Sequence, residues 1–418
     1  MNLFSNFRQF GVFIAICIVI FTLNLYLEFR SYEAFKAKPY SFIKADLLFS
    51  DKRQGKNSKY YVLQFKSDNF IFYTRSKSLP KCSSCEVGVI TKNLKFKDYI
   101  IGRFFLPSFK ISKLDINDSL ANILKNAIIS QHQNPKMQEL YSALYLATPM
   151  SKELRQNVTH WGIAHIIAIS GFHLSVIFIF VFFVTRFTIA PLQDRYFPYL
   201  NLKFYISLIL FILMGFYLYI LDFTPSFLRS YIMGVVGFLL LSRGLKVFSF
   251  GNLVLAILIG LAFSPQLLFS IGFYFSCLGV YFIFLYIYHF GNRSDLSSLK
   301  RILMHTLILE IFVFLAMNIP VYYFFPIASW YQLSVIPLSY VFIIFYPVSL
   351  FLHLFGIGGL FDDFMIRFIE FAPAQGKANL ELWQFIGYNI IALLAIYKKW
   401  IMLLLALLGL FVYIFALI

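Results

Sequence analysis

The sequence predicts a polytopic α-helical membrane protein with a small β domain near its amino terminus. Of the 418 residues, 60% are hydrophobic and only 13% are charged, a balance typical of polytopic membrane proteins. About nine to ten apolar segments are distributed along the chain. Residues 31–120 differ from the rest, because they are polar and contain short runs in which apolar and polar residues alternate.

The first apolar segment covers residues 10–29 and predicts a single membrane helix. It is long for the apolar core of a signal peptide, and no A-x-A cleavage pattern follows it. We therefore expect residues 1–30 to remain in the protein as a transmembrane anchor.

Residues 31–117 are predicted to form a small basic β domain. Residues 31–120 contain 17 lysines or arginines against 8 aspartates or glutamates, a net charge of +9. Five runs have the alternation or the residue types of strands: 41–49, 60–65, 70–75, 87–91 and 99–109. Periodicity alone predicts only a small β domain, and five strands are also the number of a partly open barrel.

The four cysteines lie in two contexts. Cys17 and Cys277 are in apolar segments, where a free thiol behaves as a small hydrophobic group. Cys82 and Cys85 form C-S-S-C in the polar domain. A zinc site there would need four ligands, and the nearest further candidate is His132. If this domain lies outside the cytoplasm, the pair is predicted to be a structural disulfide.

Residues 118–158 are predicted to connect the β domain to the membrane core, which covers residues 159–418. Residues 118–130 and 137–147 have helical spacing with polar faces, which indicates surface or interfacial helices. Residues 159–180 are apolar and long enough for a membrane helix. Their first part nevertheless contains five polar or breaking residues: His160, His165, Ser170, Gly171 and His173. Such groups at bilayer depth usually face a protein interior or an aqueous path, and Ser170–Gly171 marks a place where a helix can bend.

The remaining apolar segments lie near 203–221, 226–242, 251–263, 266–289 and 302–319. Alternate connections between them carry the basic residues Arg186, Arg195, Lys203, Arg243, Lys246, Arg293, Lys300 and Arg301. The intervening turns at 222–224 and 264–265 carry none. The positive-inside rule then places the basic loops in the cytoplasm and residues 31–117 outside it.

The carboxyl-terminal part is less regular. Prolines at 320, 326, 337 and 347 predict broken backbone between residues 320 and 354. A re-entrant segment there would place Lys398 and Lys399 in the cytoplasm, as the charge rule requires. Residues 361–371 are then predicted to form an amphipathic helix on the outer surface, followed by apolar helices at 383–397 and 401–418.

Three motifs show a resemblance to a known family. Residues 165–173 read H-I-I-A-I-S-G-F-H, residues 224–233 read T-P-S-F-L-R-S-Y-I-M, and residues 252–285 contain N-L-V-L-A, P-Q-L-L and G-F-Y-F-S-C-L-G-V in that order. This set closely resembles the signature motifs of the ComEC family, bacterial membrane proteins that take DNA into the cell during natural transformation. The resemblance covers roughly residues 137–400.

The resemblance implies a competence-type channel that passes transforming DNA as a single strand through the cytoplasmic membrane, with an OB-like fold for the outer domain. It implies as partners single-stranded DNA, a periplasmic or surface DNA-binding competence protein and a separate cytoplasmic helicase or nuclease, and it leaves a homo-oligomer open. The motifs and the apolar segments together give the candidate channel residues, which are His165, Ser170, Gly171, His173, Arg229, Asn252 and Glu310.

Enzymatic roles are disfavoured. No G-x-x-x-x-G-K-[ST] occurs, so we expect no nucleotide hydrolysis. Many family members carry a metallo-β-lactamase-like domain with an H-x-H-x-D-H motif. No H-x-H occurs here, and a short form without catalytic residues, cofactor or metal is expected. A serine intramembrane protease would need G-x-S-G, but position 168 is alanine.

A metal site on the three histidines of the signature stretch is also disfavoured. On one helix, His160, His165 and His173 would be separated by about 140° and 80° and would not share a face.

Arg229 has two interpretations. It forms an ion pair with Glu310 that holds two helices together, or it faces a path for an anionic substrate.

Aromatic and basic residues of the outer domain are the candidate DNA contacts. They are Tyr60, Tyr61, Phe70, Phe72, Arg75 and Lys77, with Phe65 and Tyr73 as further stacking candidates. Strand alternation requires about half of the aromatic residues to fill the barrel interior instead.

Two other functions are considered. A solute or lipid transporter is the second hypothesis, although such proteins usually place several acidic residues at mid-membrane and Glu310 is nearly alone. A non-conducting membrane receptor for DNA is the third, although a receptor does not need broken segments inside the membrane.

Overall fold

The computed structural model describes residues 7–54, 59–67, 70–80, 82, 84–113, 120–242, 250–291, 298–371 and 376–417. The predicted boundary between residues 117 and 118 and the loop residues Arg243, Lys246 and Arg293 lie outside these ranges. The helices are α1 (Phe7–Lys36), α2 (Phe96–Ile101), α3 (Leu120–Ile129), α4 (Pro135–Leu146), α5 (Lys152–His160), α6 (Ala164–Ile167), α7 (Gly171–Tyr196), α8 (Leu202–Ile220), α9 (Pro225–Ser242), α10 (Phe250–Phe263), α11 (Ile271–Phe290), α12 (Leu299–Phe324), α13 (Val335–Leu354), α14 (Asp362–Glu370), α15 (Leu382–Leu394) and α16 (Lys399–Leu417).

Seven helices within the described ranges are long and apolar enough to cross a membrane. They are α1, α7, α8, α11, α12, α13 and α16, while α9, α10 and α15 are shorter apolar helices. Together with the β domain, these helices confirm the predicted fold class, a polytopic helical membrane protein with a small β domain.

The β domain is a six-stranded sheet whose two edges meet. The strands are β1 (Tyr40–Gln54), β2 (Lys59–Lys66), β3 (Ile71–Ser76), β4 (Ser84–Ile90), β5 (Arg103–Phe105) and β6 (Ser108–Lys113). Their order is β5-β3-β2-β1-β4-β6, antiparallel except for the parallel pair β3–β5. The stretch 103–113 pairs first with β3 and then with β4, so it joins the two edges into a small barrel.

The predicted strand at residues 99–109 is wrong in detail. Its beginning is the end of α2, which stops at Gly102 in the left-handed conformation at φ 69°. Its remainder is β5 and the start of β6, separated around Pro107, which has no backbone N–H for a ladder. Apolar alternation did not reveal these two breaks, because a short helix end and a bent strand have similar composition.

The anchor helix α1 continues beyond its apolar segment into the barrel. Tyr32 and Phe35 belong to the barrel core, where their rings lie 5.6 Å from Tyr99 and 5.4 Å from Phe70, respectively. The Tyr32 hydroxyl donates to the backbone carbonyl of Leu94 at 3.0 Å. The domain boundary expected at residue 30 therefore falls inside a continuous helix that ends at Lys36.

The stretch predicted as one membrane helix at residues 159–180 is interrupted. α5 ends at His160, α6 is a single turn, and α7 begins at Gly171 after extended backbone at Ala168 and Ser170. The break coincides with the Ser170–Gly171 position at which a bend was predicted, but the membrane helix itself begins there and runs to Tyr196.

The proline-containing stretch is more regular than predicted. α12 continues past Pro320 to Phe324, and α13 contains both Pro337 and Pro347. Pro337 lies in the first turn of α13, where a backbone N–H has no intrahelical acceptor. Membrane helices tolerate the single lost donors at the other two prolines. Irregular backbone is confined to the short connection between α12 and α13.

The predicted amphipathic helix is α14, preceded by a 3-10 turn at Gly358–Phe361. Its apolar face packs on the connecting helices α4 and α5. Ile369 is fully buried, and the Phe368 ring stacks on Trp161 with 4.1 Å between centroids. Helix α14 is thus a part of the core that also contains α13 and the start of α7.

Candidate functional site

The beginning of α7 is fixed by a reciprocal cap between Ser170 and His173. The Ser170 hydroxyl accepts a hydrogen bond from the backbone N–H of Phe172 at 3.2 Å, and the Ser170 N–H donates to Nδ1 of His173 at 3.2 Å. Nδ1 of His173 is therefore an acceptor, so its ring carries a proton only on Nε2. The S-G-x-H spacing of the motif thus has a local role in starting this helix.

His173 is completely buried. Its ring stands nearly perpendicular to those of Phe342 and Tyr346 in α13, at centroid distances of 5.1 and 4.8 Å. Its Nε2 atom has no hydrogen-bond acceptor among the described residues. His165, on α6, has an accessible side chain although protein surrounds it. The two motif histidines therefore differ in packing: His173 fills the core, whereas His165 lines a space close to it.

Gly171 allows α7 and α9 to approach closely. A Cβ atom at this position would lie 2.3 Å from the Ser230 hydroxyl and 3.5 Å from an Nη atom of Arg229. Gly162 has a similar role at the preceding break, because its Cβ would lie 3.1 Å from the Gln332 backbone and its φ is +69°. Both glycines are positions where neighbouring chain leaves no room for a side chain.

Arg229 is buried in α9, one turn from the start of that helix. Its Nε donates to the Ser276 hydroxyl of α11 at 2.7 Å, and its two Nη atoms contact Met233 Sδ and the Ser230 hydroxyl at 2.9 Å each. All three acceptors are neutral. Only 4% of the residue is exposed, so the guanidinium is nearly shielded from water. Among the described residues, no carboxylate pairs with it.

The ion pair between Arg229 and Glu310 is not formed. Glu310 lies in α12, where its neighbour is Tyr340 of α13. Asn252 is buried in α10 and does not contact Arg229 in any hydrogen bond that the structure describes. The predicted channel residues are thus brought together only in part: Ser170, Gly171, His173 and Arg229 lie around the start of α7, while Glu310 belongs to another helix pair.

The sequence did not identify the partners of Arg229. Ser230 belongs to the second motif and Ser276 to the third, but motif matching assigned them no contact. The signal that could have found them is that both are small hydroxyl residues inside apolar helices. Two shallow apolar grooves lie elsewhere on the surface, at the end of α7 and the start of α16, and no predicted channel residue lines them.

The outer face of the barrel presents aromatic rings beside arginine. The Arg75 guanidinium lies 5.3 Å from the Tyr60 ring and 5.6 Å from the Phe105 ring. Tyr73 of β3 pairs with Phe105 of β5 in the same sheet. Lys77 is exposed just after β3. We call Tyr60, Tyr73, Arg75 and Phe105 the outer aromatic face.

Four of the aromatic candidates do not offer free stacking surfaces. Phe65, Phe70 and Phe72 are buried in the barrel core, so their assignment as DNA contacts is corrected. Alternation places them inward, as expected for about half of the set. Tyr61 is half-buried against the same core, with Lys52 above its ring. Phe105, which belonged to the misassigned fifth run, is 49% exposed and was missed.

Cys82 and Cys85 form a disulfide in the structure. Cys82 precedes β4, whereas Cys85 lies within β4 and belongs to the barrel core. Among the described residues, no group of three or more histidine, cysteine or acidic side chains could hold a metal ion.

Comparison with known proteins identifies the membrane core. A family model described as "Competence protein" matches residues 147–418. The chain is also 29% identical over 254 residues to the "Uncharacterized protein MG316 homolog" of Mycoplasma pneumoniae, a match that covers 56% of this chain and 61% of that protein. No solved structure matches the chain. Because the family model covers most of the chain, including the break before α7 and the Arg229 site, this multi-pass membrane protein belongs to the competence protein family.

Proposed function

We propose that the protein forms a channel that passes transforming DNA as a single strand through the cytoplasmic membrane, with the β domain outside. Membership of the competence family supports a role in DNA uptake, and the membrane core supplies the path. In this proposal the channel works with an external DNA-binding protein and a cytoplasmic helicase or nuclease, and pairing of two copies remains open. The chain itself is proposed to have no enzymatic activity.

The observation that carries the proposal is the buried guanidinium of Arg229. An arginine at bilayer depth needs a carboxylate, water or anions to remain charged. Its described partners are two hydroxyls and a thioether, which leave its charge without a described counterion. Guanidinium binds phosphate oxygens through paired N–H groups, so a passing DNA backbone provides the missing anions.

The β domain is positioned close to this site. Lys66 at the end of β2 forms an ion pair of 3.1 Å with Asp222, in the turn between α8 and α9. Arg229 follows that turn by seven residues. The outer aromatic face lies on the neighbouring strands β2, β3 and β5 and is proposed to contact bases before the strand enters the membrane.

Helix α13 is unbroken over 20 residues and does not turn back within the membrane, but the contacts of its two ends support a position along the outer side. Near its start, Ser334 donates to the carbonyl of Trp161. Near its end, His353 contacts His132 at 3.0 Å. Both partners belong to residues 120–170, a stretch in which no described helix qualifies as a membrane span. We propose that both ends of α13 lie on the outer side, which places Lys398 and Lys399 in the cytoplasm.

Substitution of Arg229 tests the proposal. Arg229→Gln is expected to lower DNA internalisation at least about tenfold at unchanged protein abundance, while Arg229→Lys retains partial uptake because the charge remains without the paired donors. The measurement scores labelled DNA bound at the surface separately from DNA inside the cell, and membrane abundance is quantified in parallel.

Arg229→Met is the matched control for packing. Replacing an unpaired buried arginine by an apolar residue of similar length should leave abundance unchanged or raise it, because desolvation of the charge is removed. If Arg229→Met or Arg229→Gln imports DNA normally, the proposed role in transport is wrong. Loss of surface binding with every variant would instead favour a receptor, and uptake of a small solute that depends on Arg229 would favour a transporter.

A further inference from the structure

A buried cluster of two histidines and one carboxylate joins three distant parts of the chain. Nδ1 of His132, which follows α3, lies 2.9 and 3.0 Å from the two carboxylate oxygens of Asp362 at the start of α14. Nε2 of His132 lies 3.0 Å from Nε2 of His353 in the last turn of α13. Nδ1 of His353 lies 2.7 Å from the backbone carbonyl oxygen of Ser349. The His132 side chain is fully buried, and that of Asp362 is 14% exposed.

These contacts fix the number of protons in the cluster. A carbonyl oxygen only accepts, so Nδ1 of His353 carries a proton. A second proton lies between the two Nε2 atoms. Without it, the lone pairs of two unprotonated ring nitrogens would face and repel each other at 3.0 Å. A third lies between Nδ1 of His132 and the carboxyl group of Asp362. Two neutral imidazoles and an ionised carboxylate hold only two protons, so the cluster holds one more.

We propose that His132, His353 and Asp362 form a binding site for a single proton, and that this bound proton fastens α14 and the turn before α4 to the end of α13. With the third proton the cluster has no net charge, whether the proton is assigned to an imidazole or to the carboxyl group. Burial favours that state, since an unbalanced carboxylate would be costly in these surroundings. The proposal does not depend on the transport of DNA.

The groups around the cluster add no competing charge. The Tyr141 ring stacks on His132 with 4.4 Å between centroids, and the Tyr145 ring stands across His353 at 5.0 Å. Burial raises the pKa of both phenols, so both remain neutral. Gln131 bridges the same elements, since it donates to the His353 carbonyl at 3.0 Å and accepts from the Gly358 N–H at 2.9 Å.

The proton count can be measured on the full-length protein in lipid nanodiscs. With [¹⁵N]histidine and [¹³C]aspartate labelling, and with assignment by His132→Gln, His353→Gln and Asp362→Asn, the two rings and the Asp362 carboxyl group are together expected to hold three protons at neutral pH. A total of two protons would overturn the proposal. So would binding of added Zn²⁺ at these rings, seen as a shift of their unprotonated nitrogen signals with release of protons, because the pair would then be a metal site.

The consequence for stability separates this site from ordinary packing. Loss of the third proton breaks one contact, so the wild-type Tm is expected to fall by roughly 2 °C or more as pH rises from about 6 to 9. In His353→Gln the amide N–H donates to Nε2 of His132 without an added proton, so this pH dependence should disappear. A pH dependence that survives in His353→Gln would overturn the proposal.

Lys136→Gln is the matched control, because Lys136 ties α4 to α5 and α14 by contacts of 2.8 Å with Glu153 and 2.7 Å with Glu370. These hydrogen bonds raise the pKa of Lys136 above its ordinary value. Stability from a raised lysine pKa is complete below the ordinary value and is lost only above it. Lys136→Gln should therefore lower Tm equally at every pH between about 6 and 9.

Discussion

Gly171 sets the distance between α7 and α9, and with it the position of Arg229. Gly171→Ala places a methyl group 2.3 Å from the Ser230 hydroxyl, so α9 must shift. Overpacking of this kind costs about 1–3 kcal/mol. We expect Gly171→Ala to lower DNA uptake and Tm while membrane insertion continues.

Gly279 of α11 provides the control for this substitution, since no atom lies within 4 Å of a Cβ built there. Gly279→Ala is expected to leave both quantities unchanged or to raise Tm slightly through helix propensity. Normal uptake and stability in Gly171→Ala would show that the close approach of α7 and α9 has no role in the channel.

Sequence reasoning at the residue level succeeded for chemical type and failed for partners. Arg229 was recognised because a guanidinium inside an apolar segment is unusual. Its partner was not, because the sequence shows how deep a residue lies along a helix but not which neighbour its side chain faces. Glu310 was the main intramembrane carboxylate, yet α12 directs it to Tyr340. Neutral hydroxyls such as Ser276 give no sequence signal of comparable strength.

At the level of single elements, the outer aromatic face makes a testable binding surface. Full-length protein in nanodiscs should bind labelled oligo(dT), and Tyr60→Ala should weaken binding roughly fivefold or more through lost stacking. Arg75→Gln should weaken binding and reduce the salt slope by about 0.7, because one phosphate contact is lost. Fluorescence anisotropy at two salt concentrations measures both effects.

Lys97 is the charge control for the binding experiment. It is an exposed lysine on α2 and does not belong to the outer aromatic face, so Lys97→Gln changes net charge equally without removing a stacking partner. Equal effects of Arg75→Gln and Lys97→Gln would mean that DNA binds through diffuse electrostatic attraction and not through a contact specific to Arg75. Unchanged binding by Tyr60→Ala would show that stacking of bases on the Tyr60 ring does not contribute to affinity.

Individual elements were predicted best where periodicity was long and uninterrupted. The runs that became β1 to β4 and the long apolar helices were found from pattern alone. The break between α5 and α7 was placed correctly at Ser170–Gly171 but read as a bend, because its apolar composition matches a helix. The regularity of α13 was missed, since prolines in a membrane helix are tolerated more often than the local rule suggests.

At the level of the whole molecule, cysteine accessibility tests the proposed topology. In a protein without Cys17 and Cys277, Phe355→Cys at the end of α13 should react with an impermeant maleimide on intact cells. Ser298→Cys before α12 should react only after permeabilisation. Cys82 and Cys85 should remain unlabelled until a reductant is added, because they are joined in a disulfide that the proposed topology places outside the cytoplasm.

A Phe355→Cys protein that reacts only after permeabilisation would mean that α13 crosses the membrane. Labelling of Cys82 and Cys85 in unreduced, intact cells would contradict the disulfide. These two outcomes are independent, so one prediction can fail without the other.

The fold class of the whole molecule could be predicted from composition and motifs, whereas the contacts between residues distant in the chain could not. Composition and apolar periodicity predicted the fold class, and three motifs predicted the family. Nothing in the pattern indicated that His132 meets Asp362, because the two residues are separated by 230 positions and each has an ordinary local sequence. Contacts of this kind follow from how α13 and α14 fold back on the connecting helices.

Helix α1 continues without a break from its apolar segment into the barrel core, so no flexible linker separates the β domain from this helix. Glu28 accepts a hydrogen bond from Gln266 in the turn between α10 and α11, and Tyr32 enters the barrel one helical turn later, about 6 Å along the axis. In the proposed function, a pull on a DNA strand held by the β domain would therefore act along α1 on the α10–α11 turn. Helix α11 carries Ser276, whose hydroxyl accepts from Arg229, so the same pull would act on the Arg229 site.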